Sequence, residues 1–316
     1  MANHAQTPVT IADGKAKKNI RHFMPLYVML LPGVFLVGLL AYYPFSGLYI
    51  AFSNYKLGFP IFSSEFAGLK HFRAVLHDVA DLGYLLRNTL AMNFGSLILG
   101  LTVAVFFAIA INEIKIMKLK KAVQTVSFLP FFLSWAIVYA MLQAFFSAET
   151  GVVNTVLKQL GMVERGIAFL SEPNYSWRLV IFTNLWKMLG YNSVIFLSTI
   201  DGIDPEMYDV AQIDGANRLQ RTWYITLPFL IPTLEVLLIL NVGWIMNSNF
   251  DQYYLFTNAM NRLRMEVFDM YIYRFGLKQM NYPYATAVGL LKSIAGVSML
   301  VFVNFVSKRL NRSSVA

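Results

Sequence analysis

The chain contains no cysteine and few charged residues. The absence of cysteine from the 316 residues excludes disulfide bonds, a thiol nucleophile and cysteine ligands for a metal. The four histidines fit no metal-ligand spacing, so no metal site is predicted. Charged residues make up 14% of the chain, against about 25% in ordinary soluble domains. With 57% hydrophobic residues and a mean hydropathy of +0.53, a soluble enzyme and a disordered chain are both disfavoured.

The missing charges leave long apolar segments. No Asp, Glu, Lys or Arg occurs in the 34 residues between Arg21 and Lys56, or in the 25 residues between Arg87 and Glu113. A helix needs about 20 largely apolar residues to cross a bilayer. Six segments meet this requirement, which predicts an all-α, polytopic membrane protein with six transmembrane helices, near residues 26–52, 88–111, 122–146, 179–200, 229–250 and 283–306.

The basic residues predict the orientation in the membrane. Four of the seven residues from 115 to 121 are lysine, and Lys308, Arg309 and Arg312 follow the last span. Short basic loops remain in the cytoplasm. We therefore expect a multi-pass membrane protein with both termini cytoplasmic. The expected parts are a cytoplasmic tail at 1–25, a six-helix transmembrane domain at 26–307 and a cytoplasmic tail at 308–316.

The net charge of +9 is accounted for by these flanking loops. A basic balance can also indicate nucleic-acid binding. Here the basic residues are scattered among loops next to the membrane, so lipid is the expected partner and nucleic acid is not.

The cytoplasmic loop at residues 201–228 begins as a short amphipathic helix. Asp204 suits the N-cap and Pro205 the first helical position. Acidic residues near the start favour the positive end of the helix dipole, and Arg218 and Arg221 are expected at its other end. Helices that lie on lipid usually carry Lys and Arg on the polar face. Because this helix opens with acidic residues, docking to a protein is favoured.

The same loop carries a spaced signature: Asp209-Val210-Ala211, three residues, Gly215, nine residues, and Ile225-x-Leu227-Pro228. It resembles the "EAA" signature of ABC importer permeases, with Asp for Glu and Val for Ala at the first two positions. The resemblance implies a type I ABC importer fold in which this loop forms a coupling helix that docks on the ATPase. The implied coupling residues are Glu206, Asp209, Val210, Ala211, Asp214, Gly215, Ile225, Leu227 and Pro228.

Other segments resemble the maltose-type carbohydrate permeases, closest to the oligosaccharide branch associated with polysaccharide breakdown. They lie at residues 52–55, 66–72, 151–154, 249–254 and 284–293. The resemblance implies import of oligosaccharides, with acidic ones derived from alginate or pectin among the candidates. It implies that residues 26–307 form the permease domain of a protein of a bacterial inner (plasma) membrane. It also implies three partners: a second homologous permease, an ATP-binding cassette ATPase dimer and an extracytoplasmic binding protein.

The chain has no Gly-x-x-x-x-Gly-Lys-Ser/Thr phosphate loop. ATP and Mg are therefore expected on the partner ATPase. This chain is predicted to need no cofactor and to catalyse no hydrolysis.

Polar residues inside the predicted spans are candidates for the substrate path. Asn184, Lys187 and Tyr191 recur at helical spacing in the fourth span, and Lys292 lies in the sixth. In the fifth span an aromatic ring and polar groups suited to a sugar share one predicted helix face, formed by Asn241, Trp244, Ser248 and Asp251. Packing between helices is the alternative role for each of them. The two lysines together would suit an acidic oligosaccharide.

Three other functions are weighed against this interpretation. One is an ABC permease for phosphate, amino acids or metal ions. Another is a secondary transporter or channel, which predicts paired intramembrane carboxylates or inverted repeats, whereas the spans contain only Glu235. The third is an integral membrane enzyme, which would need clustered histidines or carboxylates at a membrane face.

Overall fold

The structure is a computed structural model that describes residues 20–311, with side chains described for residues 23–309. These residues form helices, and their one β pairing is an isolated bridge between Ser53 and Phe66. The chain divides into two compact units between Tyr49 and Ile50. Most of the predicted N-terminal tail and the last five residues lie outside the described part. The first helix begins at Ile20, within the segment expected to be tail.

The first unit contains α1 (Ile20–Val37), followed by a π-helical turn at Gly38–Tyr42. A 3-10 segment then runs over Tyr43–Phe52. The remaining α-helices belong to the second unit: α2 (Lys70–His77), α3 (Val79–Asn112), α4 (Met117–Phe128), α5 (Trp135–Phe146), α6 (Val152–Gln159), α7 (Pro173–Asp201), α8 (Pro205–Ile213), α9 (Arg218–Arg221), α10 (Leu227–Gly243), α11 (Phe250–Phe256), α12 (Arg262–Met265), α13 (Phe268–Tyr273) and α14 (Tyr282–Asn311).

The prediction of six spans is only approximately matched. Within the described residues, four helical segments are long and apolar enough to cross a membrane: Phe23–Phe52, Val79–Asn112, Arg218–Gly243 and Tyr282–Arg309. A bent pair of helices raises the count to five. The fourth predicted span corresponds to α7, whose 29 residues reach about 43 Å at 1.5 Å per residue. Because of its polar residues, α7 is not among the four segments that are apolar enough to count as spans.

The third predicted span, 122–146, is not one continuous helix. The chain bends by 101° between the helical segments Met117–Phe132 and Trp135–Phe146. Pro130 lies in the 3-10 turn that ends the first segment, and proline has no N–H to continue a helix. Ser134 then caps α5 by accepting a hydrogen bond from the Ile137 amide at 3.3 Å. The segment 122–146 contains no charged residue, and this concealed the break.

The fifth predicted span, 229–250, is also interrupted. α10 ends at Gly243, residues 244–249 form a turn, and α11 begins at Phe250. The expected single face through Asn241, Trp244, Ser248 and Asp251 therefore does not exist.

The long helix α3 is the centre of the second unit. It supplies residues to all three hydrophobic clusters, including Leu85, Met92 and Leu101. It packs most extensively against α7. α7 also lies against α4, where Gly190 leaves room for the backbone of Ser127: a Cβ at position 190 would lie 2.2 Å from the Ser127 carbonyl oxygen. The helices that enclose the candidate site are thus held close together.

Glu266 joins α3 to the loop between α12 and α13. Its carboxylate accepts a 2.7 Å hydrogen bond from the Tyr84 hydroxyl. It also accepts two from the Arg274 guanidinium, at 2.7 and 3.1 Å. Burial of Arg274 alone would lower its pKa, but the Glu266 carboxylate raises the pKa above its usual value. The Glu266 side chain is only 3% exposed, so this pair is held away from solvent.

Glu266→Gln should lower the free energy of unfolding by about 3 kcal/mol, because breaking a buried ion pair leaves the other charge uncompensated. Thermal unfolding of the purified protein in detergent measures the change. Glu164→Gln removes a carboxylate with no ion-pair partner among the described residues and should change stability by less than about 0.5 kcal/mol. Equal melting curves for the two variants would contradict the structural role of Glu266.

Candidate translocation cavity and coupling loop

A cavity of about 280 Å³ lies between α3, α7 and the turn that joins α10 to α11. None of its lining residues is charged, and six are asparagine. The lining consists of Asn93, Ser96, Leu97, Gly100, Leu101, Asn184, Met188, Asn192, Asn241, Trp244, Ile245, Asn247, Asn249, Gln252 and Tyr253. Neutral amides and hydroxyls beside an indole ring offer hydrogen bonds and a flat apolar face, which together can bind a polyhydroxylated solute.

On α7, one stripe of residues faces the cavity. Asn184, Met188 and Asn192 line it at intervals of four residues, as expected for one side of a helix. Of the predicted stripe, only Asn184 is brought to the cavity. Lys187 and Tyr191 lie on other sides of the same helix. The amides of Asn184 and Asn192 bond to no protein atom among the described residues, which leaves them available to a solute.

Asn93 on α3 fixes the turn that forms one cavity wall. Its side-chain amide donates to the Ile245 carbonyl at 2.6 Å and to the Ser248 hydroxyl at 3.3 Å. Its side-chain oxygen accepts a hydrogen bond from the Tyr253 hydroxyl at 3.2 Å. Sequence reasoning missed this residue. The uncharged polar position within an apolar run was its only signal, because its partners lie more than 150 residues away.

The structure places the four residues predicted to share a face of the fifth span in different positions relative to the cavity. Asn241 and Trp244 line the cavity, and Trp244 is 70% exposed. The Asn241 amide also donates to the Leu237 carbonyl at 2.7 Å. Ser248 supports the turn through Asn93 without lining the cavity. Asp251 is exposed on the first turn of α11 and lies outside the lining.

Lys187 stabilises the bend between α4 and α5. Its ammonium donates to the carbonyl oxygens of Pro130, Phe131 and Leu133, the first two at 3.2 and 2.8 Å. It also lies 5.8 Å from the ring centre of Phe131 and 5.5 Å from that of Trp135. The residue is only 6% exposed. These contacts match the packing role that the sequence left open for Lys187.

Lys292 on α14 is paired within the protein. Its ammonium lies 2.5 Å from the Oδ1 atom of Asp269 on α13. The Oδ2 atom of Asp269 accepts a hydrogen bond from the Ser248 amide at 2.9 Å. Asp269 thus connects α14 to the turn beside the cavity. Since neither lysine lines the cavity, the charge-based case for an acidic substrate does not follow from this chain.

The coupling loop folds around α8. The Asp204 side chain caps it through the Glu206 amide at 3.0 Å, and Pro205 is its first residue, as the sequence predicts. The helix ends before Gly215, whose φ of +78° favours glycine. Arg218 and Arg221 therefore do not lie at the C-terminal end of α8. They form α9, which begins with a capping box between Asn217 and Gln220.

α8 has an inner and an outer side. On the inner side, the Tyr208 hydroxyl shares a 3.0 Å hydrogen bond with Thr226 at the start of the next span. Ile225, in the same segment as Thr226, is buried. On the outer side Met207, Val210 and Ile213 remain 39%, 58% and 85% exposed. An apolar helix face that its own chain leaves uncovered is typical of a surface that binds another protein.

Residues 100–312 match the family of binding-protein-dependent transport system inner membrane components. The chain belongs to this family. Two curated relatives come from Bacillus subtilis (strain 168). The protein LplB is 34% identical over 92% of this chain and 90% of its own. The polygalacturonan/rhamnogalacturonan transport system permease protein YteP is 35% identical over 92% of this chain and 89% of its own.

Two solved structures resemble this permease over nearly its whole length. One is a bacterial ABC transporter involved in the import of the acidic polysaccharide alginate, with 34% identity and a TM-score of 0.84 over 93% of this chain and 98% of the other. The second is a bacterial alginate ABC transporter with its alginate pentasaccharide-bound periplasmic protein. It shares 33% identity, with a TM-score of 0.85 over 96% of this chain and all of the other.

These matches confirm the predicted type of fold and the class of protein. The permease is a multi-pass inner-membrane subunit of an ABC importer and not an enzyme, since a separate ATPase hydrolyses ATP and this subunit uses no cofactor. Permeases of this family work in pairs with ATPases and a binding protein. The secondary-transporter and membrane-enzyme alternatives are thereby set aside.

Proposed function

We propose that this permease imports oligosaccharides through the amide-lined cavity, with α8 coupling ATPase closure to movement of the helices around it. The observation that carries the substrate class is the uncharged lining. It combines free amides on α7 with the exposed ring of Trp244. The polygalacturonan/rhamnogalacturonan permease YteP and the two alginate transporters support a substrate derived from polysaccharide breakdown.

In this proposal the sugar hydroxyls bond to the amides of Asn184, Asn192 and Asn241, and a pyranose face stacks on Trp244. Carboxylates of an acidic sugar would receive neutral hydrogen bonds from this subunit and no ion pair. Because such bonds contribute about 0.5–1.5 kcal/mol each, this subunit would bind loosely enough to release its solute. An ABC permease for a non-sugar solute is the competing function.

The proposed coupling surface is α8 with the residues that follow it. Asp204 and Gly215 define where the helix starts and stops, and Tyr208 and Thr226 fix it to the next span. Glu206, Asp209 and Asp214 are exposed and leave acidic groups for the ATPase. This assignment puts α8, the lysines of 115–121 and both termini in the cytoplasm, in keeping with the positive-inside rule.

The test is oligosaccharide uptake into proteoliposomes that contain the complete importer. Asn184→Leu with Asn192→Leu removes two free amides and should lower uptake about 10-fold, because two hydrogen bonds to the solute are lost. Trp244→Ala should lower it by a similar factor.

Phe182→Leu is the matched control, since Phe182 is exposed on another side of α7 and outside the lining. Uptake unchanged in both the double variant and Trp244→Ala would contradict the proposed path.

A further inference from the structure

A second polar cavity of about 350 Å³ lies on the inner side of the coupling loop, away from the exposed apolar face of α8. It is bounded by the end of α3, by α8 and by the segment that leads into α10. The lining consists of Asn112, Glu113, Lys115, Tyr208, Gln212, Arg218, Arg221, Thr222 and Thr226. None of the proposed substrate residues belongs to it.

Three cations from two separate parts of the chain meet in this cavity. Lys115 comes from the loop after α3, while Arg218 and Arg221 come from α9. None of the three has an ion pair with a carboxylate among the described residues. Glu113 also lines the cavity, so the lining keeps a net charge of +2 from three cations and one carboxylate. The Thr222 hydroxyl donates to the Arg218 carbonyl at 3.0 Å, and the hydroxyls of Tyr208 and Thr226 share one hydrogen bond, which leaves one hydroxyl hydrogen of that pair for a ligand.

The cavity lies where two membrane spans end. One candidate span stops at Asn112, and another starts at Arg218. Directly beyond the arginines, Trp223 and Tyr224 are 56% and 80% exposed. Tryptophan and tyrosine favour the level of the lipid headgroups. Basic pockets between helices at this level are suited to the headgroups of anionic lipids.

We propose that this cavity binds a phosphate group, supplied by the headgroup of an anionic phospholipid, between Lys115, Arg218 and Arg221. Arginine forks match phosphate oxygens in two-point contacts, and lysine adds a point charge. Tyr208 belongs to both the cavity lining and α8, and its hydroxyl bonds to Thr226, so a bound headgroup would stabilise the coupling helix against the segment that leads into α10. The proposal rests on the proposed topology but not on the identity of the solute.

The test compares two double variants of the full-length permease in its complete importer by native mass spectrometry, with phosphatidylglycerol or phosphatidylcholine added. R218Q/R221Q removes two charges from the cavity. K118Q/K121Q removes two charges from α4 outside the lining, where both lysines are exposed. R218Q/R221Q should weaken phosphatidylglycerol binding about 25-fold, and K118Q/K121Q should leave it unchanged. Lys115→Gln, on the other side of the cavity, should weaken it about 5-fold.

A second arm distinguishes lipid from soluble phosphate. Suppose that inorganic phosphate raises the melting temperature of the wild type but not of R218Q/R221Q, while phosphatidylglycerol does not bind. That result would keep the phosphate site but overturn the lipid headgroup as its ligand, in favour of soluble phosphate. Equal losses of phosphatidylglycerol in the two double variants would overturn the proposal, because a general surface charge would then explain the binding.

The lipid proposal would also be overturned if R218Q/R221Q lost the ATPase but bound phosphatidylglycerol as well as the wild type does. That result would assign the two arginines to the ATPase interface. The coupling proposal is tested separately, by ATPase co-purification with variants of Val210 on the outer face of α8, which leave both arginines intact.

Discussion

Replacing Val210 with aspartate should detach the ATPase from the permease and abolish transport. Val210 is 58% exposed on the outer face of α8, between Met207 and Ile213. Docking would bury it, and an unpaired carboxylate in that interface is costly to desolvate. A substitution at a hot spot near the centre of an interface costs about 2 kcal/mol or more, which corresponds to about 30-fold weaker association. Co-purification of the ATPase and oligosaccharide uptake measure the effect.

Val210→Thr is the matched control, since it keeps the branched shape and adds no charge. We expect it to retain most of the bound ATPase. Both variants should melt near the wild-type temperature in the absence of ATPase, because more than half of Val210 is exposed to solvent. A Val210→Asp complex that kept its ATPase and its uptake would disprove the docking role of this face.

Lys187→Met should destabilise the permease and impair the uptake of all its substrates equally. Methionine cannot donate to the carbonyls of Phe131 and Leu133, whereas the Pro130 carbonyl keeps its hydrogen bond from the Leu133 amide at 3.2 Å. An acceptor that loses its partner inside the protein costs about 1–3 kcal/mol. Removing the ammonium also removes its own desolvation cost. We therefore expect a net loss of about 3 kcal/mol, or a melting temperature lower by about 5 °C.

The substrate profile separates a structural from a binding role for Lys187. If the lysine only stabilises the bend, uptake of anionic and neutral oligosaccharides falls by the same factor. If uptake of the anionic oligosaccharide fell more than uptake of the neutral one, Lys187 would belong to the substrate path instead. Lys118→Met, on the exposed surface of α4, should change stability by less than about 0.5 kcal/mol.

The features that could be predicted from the sequence depend on neighbouring residues. Asp204, Pro205 and Gly215 set the limits of α8 through local capping and backbone geometry. The apolar runs gave the approximate spans, because a bilayer imposes one length on every helix that crosses it.

The features that could not be predicted depend on distant contacts. The breaks after Phe132 and Gly243 interrupt segments that contain at most one charged residue each, so the charge-free length does not reveal them. On α7, helical spacing permits both the stripe through Lys187 and Tyr191 and the stripe through Met188 and Asn192. Packing against α3 decides which stripe meets the cavity, and no residue on α7 specifies that choice alone.

The bend stabilised by Lys187 also has a consequence for biosynthesis. A lysine at the centre of a span costs about 2.5–3.5 kcal/mol to insert into lipid. Its three carbonyl partners lie 54 to 57 residues nearer the N-terminus, so they leave the ribosome first. Lys187 therefore reaches the membrane when its acceptors are already present, and α7 is spared from inserting that charge alone.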